Sequence, residues 1–110
     1  MEIIDKIYKL QKNYRYIKSI NISRNVFGEE WSDFDLCITL CEYVSWDESD
    51  EFTIIFKNVK DLELGDIDNL FCVCFDIQSV SYRQMENINY SVKESENDLF
   101  SFLCKDILIP

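Results

Sequence analysis

One hundred and ten residues, 47% hydrophobic and 15% aromatic, are enough for one domain with its own core, and they exclude a disordered chain despite a formal charge of −10. No apolar run reaches the roughly 18 residues of a membrane-spanning helix, and Met1 to Asp5 lack the basic and long apolar regions of a signal peptide. The expectation is a single domain over residues 1–110, cytoplasmic and without membrane contact.

Ile3, Ile4, Ile7, Leu10 and Tyr14 recur at helical spacing with Lys6, Lys9 and Lys12 between them, so residues 2 to 13 read as an amphipathic helix lying on a sheet. Ile20 and Ile22 alternate with Asn21 and Ser23 in a strand from Ile17 to Arg24, and the polar stretch Asn25 to Ser32 is a turn. Asp35 to Tyr43 is the next strand, with Leu36, Ile38 and Leu40 on one face and Cys37, Thr39, Cys41 and Tyr43 on the other. Ser45 to Glu51 reads as an acidic loop, and Phe52 to Phe56 as a strand. Asn58 and Val59 then break the alternation, and Leu62 and Leu64 resume it after an offset, which predicts a bulge or tight bend.

Gly65 to Asn69 is a polar turn before Leu70 to Tyr82, the longest strand signal in the chain. Phe71, Val73, Phe75 and Ile77 share one face of it; Leu70, Cys72, Cys74, Val80 and Tyr82 share the other. Apolar residues on both faces predict a central strand, because an edge would leave backbone donors in water. Ile88, Tyr90 and Val92 mark a sixth strand, and Leu99 to Cys104 a seventh. A register change at Asp106 leads into Ile107 to Ile109. The fold class is mainly β: an antiparallel two-layer sandwich or coiled sheet of about seven strands with one N-terminal helix. With only two glycines for so many turns, Asn and Asp must take the positive-φ positions. The predicted core is Leu36, Ile38, Leu40, Ile54, Phe56, Val73, Phe75, Ile77, Val92 and Phe102.

The tools of catalysis are not visible. The chain has no histidine, no Gly-rich phosphate cradle and no Gly-x-Ser-x-Gly elbow. Asp33 and Asp35 share a strand face and offer an acid–base pair, but among 21 acidic residues such a pair arises by chance. Five cysteines, Cys37, Cys41, Cys72, Cys74 and Cys104, sit in apolar runs without a Cys-x-x-Cys pair, as free and mostly buried thiols do in a reducing compartment; Cys72 and Cys74 are the one pair placed to share a soft metal. No catalytic residue, cofactor or metal site is assigned.

Charge is the more informative signal. Residues 1–28 hold six basic and two acidic residues, residues 29–110 five basic and nineteen acidic. Direct binding of nucleic acid needs clustered cations that most of this chain lacks, so a basic protein surface is the better partner. Between Glu29 and Glu51 nine acidic residues occur with no Lys or Arg, and aromatics lie among them. Glu29, Glu30, Trp31, Asp33, Tyr43, Trp46, Asp47, Glu48, Asp50 and Glu51 are the candidate partner-binding residues: rings as desolvated anchors, carboxylates to steer a cationic partner. The same run also suits a plain solvated surface, with the acidic loops Asp61 to Asp68 and Glu94 to Asp98 as the other places to seek the contact.

Phe52 to Leu64, the strand ending Asp76-Ile-Gln-Ser-Val80, Ile88-Asn-Tyr-Ser-Val92 and Phe100-Ser-Phe-Leu-Cys104 before Ile107 form a pattern that resembles small β-rich immunity proteins of bacterial polymorphic-toxin and contact-dependent-inhibition systems, in particular the immunity protein 50 group. The resemblance implies a non-catalytic inhibitor that binds a cognate toxin in the cytoplasm, and a nuclease with a cationic cleft would match the charge. An acidic mimic of nucleic acid acting on another basic protein, a structural subunit and a small enzyme are the alternatives.

Overall fold

The computed structural model describes residues 2–24, 34–42, 50–66, 68, 72–80, 88–96 and 98–110. Helix α1 (Glu2–Leu10) precedes seven strands, β1 (Tyr16–Arg24), β2 (Phe34–Cys41), β3 (Glu51–Leu64), β4 (Phe75–Ser79), β5 (Tyr90–Glu94), β6 (Phe100–Cys104) and β7 (Asp106–Leu108). Every pairing of these strands is antiparallel. They form one sheet in the order β1-β2-β3-β6-β5-β4, with β7 also on β3. The chain is therefore mainly β with one N-terminal helix, as the alternation predicts.

β3 organises the sheet. Its first half pairs with β2, Phe56 opposite Leu36, and with β7, Phe56 opposite Ile107. Its second half leaves β2 and pairs with β6, Leu64 opposite Phe100. At the handover Asn58 and Asp61 are left-handed, with φ of 53° and 55°, and the register slips on both sides. Extra residues of this kind bend a strand and increase its twist. Asp35 fixes the first bend: its Oδ1 accepts the Asn58 N–H at 3.2 Å and its Oδ2 the Lys57 ammonium at 2.9 Å. That bond raises the Lys57 pKa above its ordinary value. Asp35 thus acts as a clamp on the backbone. Its suggested partner Asp33 lies outside the described residues.

The bends coil the sheet until its two ends touch. Tyr16 bridges Cys72, and the Val73 N–H donates to the Arg15 carbonyl at 2.8 Å. Inside the coil, the Phe56 ring lies 4.9 Å from Phe102 and 6.0 Å from Phe75, and Phe75 lies 5.6 Å from Phe100. All ten predicted core residues are buried. The bulge expected at Asn58 and Val59 is present, inside one strand that takes in both Phe52 to Phe56 and Leu62 to Leu64, and the register change expected at Asp106 opens a separate β7. The expectation that Asn and Asp take the left-handed positions holds, with Asp98 the third at φ 53°.

The predicted central strand is the main correction. Of the predicted strand from Leu70 to Tyr82 residues 72–80 are described, and among them β4 takes only Phe75–Ser79, at the end of the strand order. Its exposed backbone is sealed by α1. The Tyr8 hydroxyl donates to the Ile77 carbonyl at 3.1 Å and accepts the Ile77 N–H at 3.0 Å, while Gln11 Oε1 accepts the Phe75 N–H at 3.0 Å. Helix side chains supply what a neighbouring strand would, so an edge strand carries the apolar signature of an inner one. The Gln11 Nε2 donates to the Tyr14 carbonyl at 2.8 Å, which locks the helix exit to the same edge.

α1 is shorter than predicted. After Leu10 the N–H groups of Lys12 and Asn13 donate to carbonyls three residues back, at 3.3 and 3.1 Å, a tightened last turn. Ile7 is fully buried, and Ile3 packs on the core from a half-buried position. Replacing Tyr8 with Phe is expected to cost about 1–2 kcal/mol, since two backbone groups of Ile77 lose their partner. Amide exchange at Ile77 should accelerate with it; an unchanged Ile77 exchange rate would show that the hydroxyl does not hold this edge.

Candidate interaction surface

The structure describes only part of the predicted acidic site. Glu29, Glu30, Trp31, Asp33, Tyr43, Trp46, Asp47 and Glu48 lie outside the described residues; Asp50 and Glu51 are exposed at the start of β3. The residues that flank them are described. Residues 25–33 leave from Arg24 and rejoin at Phe34, whereas residues 43–49 lie between Glu42 and Asp50, whose N–H and carbonyl meet at 3.2 Å. These anchors stand at opposite ends of the eight-residue β2, about 23 Å apart along the strand. The acidic run is continuous in sequence, but its two halves start from different ends of the sheet.

At the Glu42 end the charge is partly met. Glu51 pairs with the Lys18 ammonium, and Tyr14 stands edge-on to Phe52 with ring centroids 5.0 Å apart. Partial burial, and after it the charges of Asp50 and Glu42, raise the Tyr14 phenol above its usual range.

A second acidic surface is assembled by β3, β6 and β5. Glu63 of β3 lies opposite Ser101 of β6, and Ser101 opposite Lys93 of β5; in the next row Leu103 lies opposite Ser91. Their neighbours along each strand, Val92, Phe100 and Phe102, point into the core, so these side chains form the outer face. The two serines are short and leave a trough between longer side chains. It comprises two adjoining depressions of about 380 and 200 Å³ that share Glu63, Lys93 and Ser101 in their walls. Asp98, Leu64 and Gly65 border the larger, Asp61 and Leu103 the smaller. One end is fastened by the Gly65 N–H donating to the Leu99 carbonyl at 2.8 Å. A Cβ on Gly65 would lie 3.2 Å from that oxygen, so glycine permits the close approach. The stretches expected as acidic loops are in part strand, Asp61 to Leu64 in β3 and Glu94 in β5, and Glu63 to Gly65 meet Asp98 and Leu99 in space.

Among the described residues no three side chains of metal-ligand type converge. The five cysteines stand as free thiols; Cys41 and Cys104 are buried, and Cys37, Cys72 and Cys74 half-buried, so two rather than most are enclosed. Burial, and then the nearby Asp106 charge, push the Cys104 thiol up to about 12. A raised thiol favours the folded state fully below its unfolded value of about 9, and that contribution is lost as pH climbs toward 12. At pH 8 a disulfide-exchange reagent should leave Cys104 unmodified in the native protein and label all five thiols in denaturant. Peptide mass spectrometry reads the difference, and fast native labelling of Cys104 would contradict its enclosure.

The features that stand out among the described residues are surfaces. Compared with known protein families, residues 1–109 match the model of immunity protein PIM8. The chain belongs to the PIM8 immunity protein family. The match takes in the N-terminal half, which the C-terminal apolar pattern did not carry, and it agrees with the resemblance to bacterial immunity proteins. Compared with curated proteins and with solved structures, the chain matches none. Membership of an immunity family implies a protein that binds and neutralises a toxin, a class generally without catalysis of its own. The trough was not singled out by sequence reading. The alternation of Ser91 with Val92 and Ser101 with Phe102 marks an outer face, but not which strands stand side by side.

Proposed function

We propose that this immunity protein neutralises a cognate toxin by covering a cationic active-site cleft with its acidic surface, and that the toxin is a nuclease. The observation that carries this reading is the charge distribution: nineteen acidic against five basic residues over 29–110, in a chain of an immunity family. A nuclease cleft must attract phosphate, and an acidic protein occupies such a cleft as a charge mimic of the substrate. The cytoplasm is the proposed site of action, in keeping with five free thiols.

The test uses the toxin domain encoded beside this chain's gene, incubated with DNA or RNA and increasing amounts of the protein. Cleavage should stop as the ratio approaches one to one. Cleavage that continues at a tenfold excess of the protein would overturn the reading.

A further inference from the structure

We infer that the trough on the outer face of β3, β6 and β5 is where the toxin docks, and that it takes a basic segment of the toxin. This deepens the function proposed above and rests on it. Among the described residues no helix covers this face of the sheet: α1 is committed to the β4 edge through Tyr8 and Gln11. Asp61, Glu63 and Asp98 line the trough together with the Lys93 ammonium, and Lys60 stands beside it, opposite Leu103 on the same outer face. None of the four lining residues makes an ion pair among the described residues, in contrast to Glu51, which is held by Lys18. Glu63 and Lys93 flank Ser101 in adjacent strands, about 10 Å apart at the backbone, and leave the space between them open.

An uncompensated excess of carboxylates lining an open slot is complementary to a lysine- or arginine-rich segment. Leu64, 40% exposed at the rim, offers an apolar contact for the stems of such side chains.

The experiment measures association and dissociation of the toxin domain encoded beside this chain's gene, with the native protein and with outward-facing variants whose melting is checked first. Glu63→Lys and Asp98→Lys together should weaken the complex at least tenfold, mainly through the association rate. Lys93→Glu, which removes a repulsive charge from the trough wall, should speed association. Ser101→Trp, which fills the trough, should weaken binding at unchanged net charge. Asp5→Lys, on the exposed side of α1, changes net charge as Glu63→Lys does and should have a much smaller effect. If the native protein binds and the trough variants bind equally well, while Asp50→Lys and Glu51→Lys lose the toxin, the docking surface is overturned and toxin neutralisation stands. If the native protein does not bind the toxin domain at all, both fall.

Discussion

Replacing Phe56 with Ala is expected to lower the unfolding free energy by about 3–5 kcal/mol, measured by denaturant melts. Phe56 is fully buried on β3, opposite Leu36 on one side and Ile107 on the other, and its ring meets those of Phe75 and Phe102. It therefore joins the two parts of the sheet that β3 serves, and the cavity left by its loss cannot be closed from one side alone. A domain of this size has about 5–15 kcal/mol in total, so the variant should be close to unfolding at physiological temperature. A loss under about 1 kcal/mol would mean that β3 is not the strand on which the core is built.

Glu94→Leu should cost about 2–4 kcal/mol although it replaces a charge with a hydrophobe in a buried place. Glu94 follows Tyr90 and Val92 on the inward face of β5 and is fully enclosed. Its Oε2 accepts the Cys74 N–H at 2.9 Å and the Glu96 N–H at 3.2 Å, and so ties the chain entering β4 to the turn after β5. Leucine would leave those two donors without their acceptor, and a buried donor left unpaired costs about 1–3 kcal/mol. Glu94→Gln keeps an acceptor and should lose about 1 kcal/mol. Equal melting of the leucine and glutamine variants would show that the carboxylate is not what holds the two segments together.

The apolar alternation was legible because burial imposes it locally. Leu36, Ile38 and Leu40, or Ile54 and Phe56, declare an inward face without reference to any other part of the chain. Strand neighbours are a different matter. Placing Phe75–Ser79 at the edge required knowing that Tyr8 and Gln11, some 64 to 69 residues away, would take its backbone groups. The offset between Phe52 to Phe56 and Leu62 to Leu64 did mark a bulge at Asn58, whereas the second left-handed residue, Asp61, left no mark of its own in the alternation.

The same limit applied to the surface. Acidity was plain from composition, and the run from Glu29 to Glu51 drew the eye because its charges are adjacent in sequence. The sheet instead starts the two halves of that run from opposite ends of β2, and gathers Asp61, Glu63 and Asp98 from separate segments. Proximity on this surface comes from strand order, which alternation does not encode.

Neutralisation by acidic complementarity is tested most directly by how the association rate with the toxin domain depends on salt. Charges that steer a partner act over the Debye length, about 10 Å at 0.1 M ionic strength and about 3 Å at 1 M. Stopped-flow association measured across that range should slow steeply with added salt while dissociation changes little, and the Lys93→Glu variant should show the steeper dependence. An association rate that stays flat from low to high salt would contradict neutralisation by acidic complementarity, and would place the recognition in apolar contacts instead.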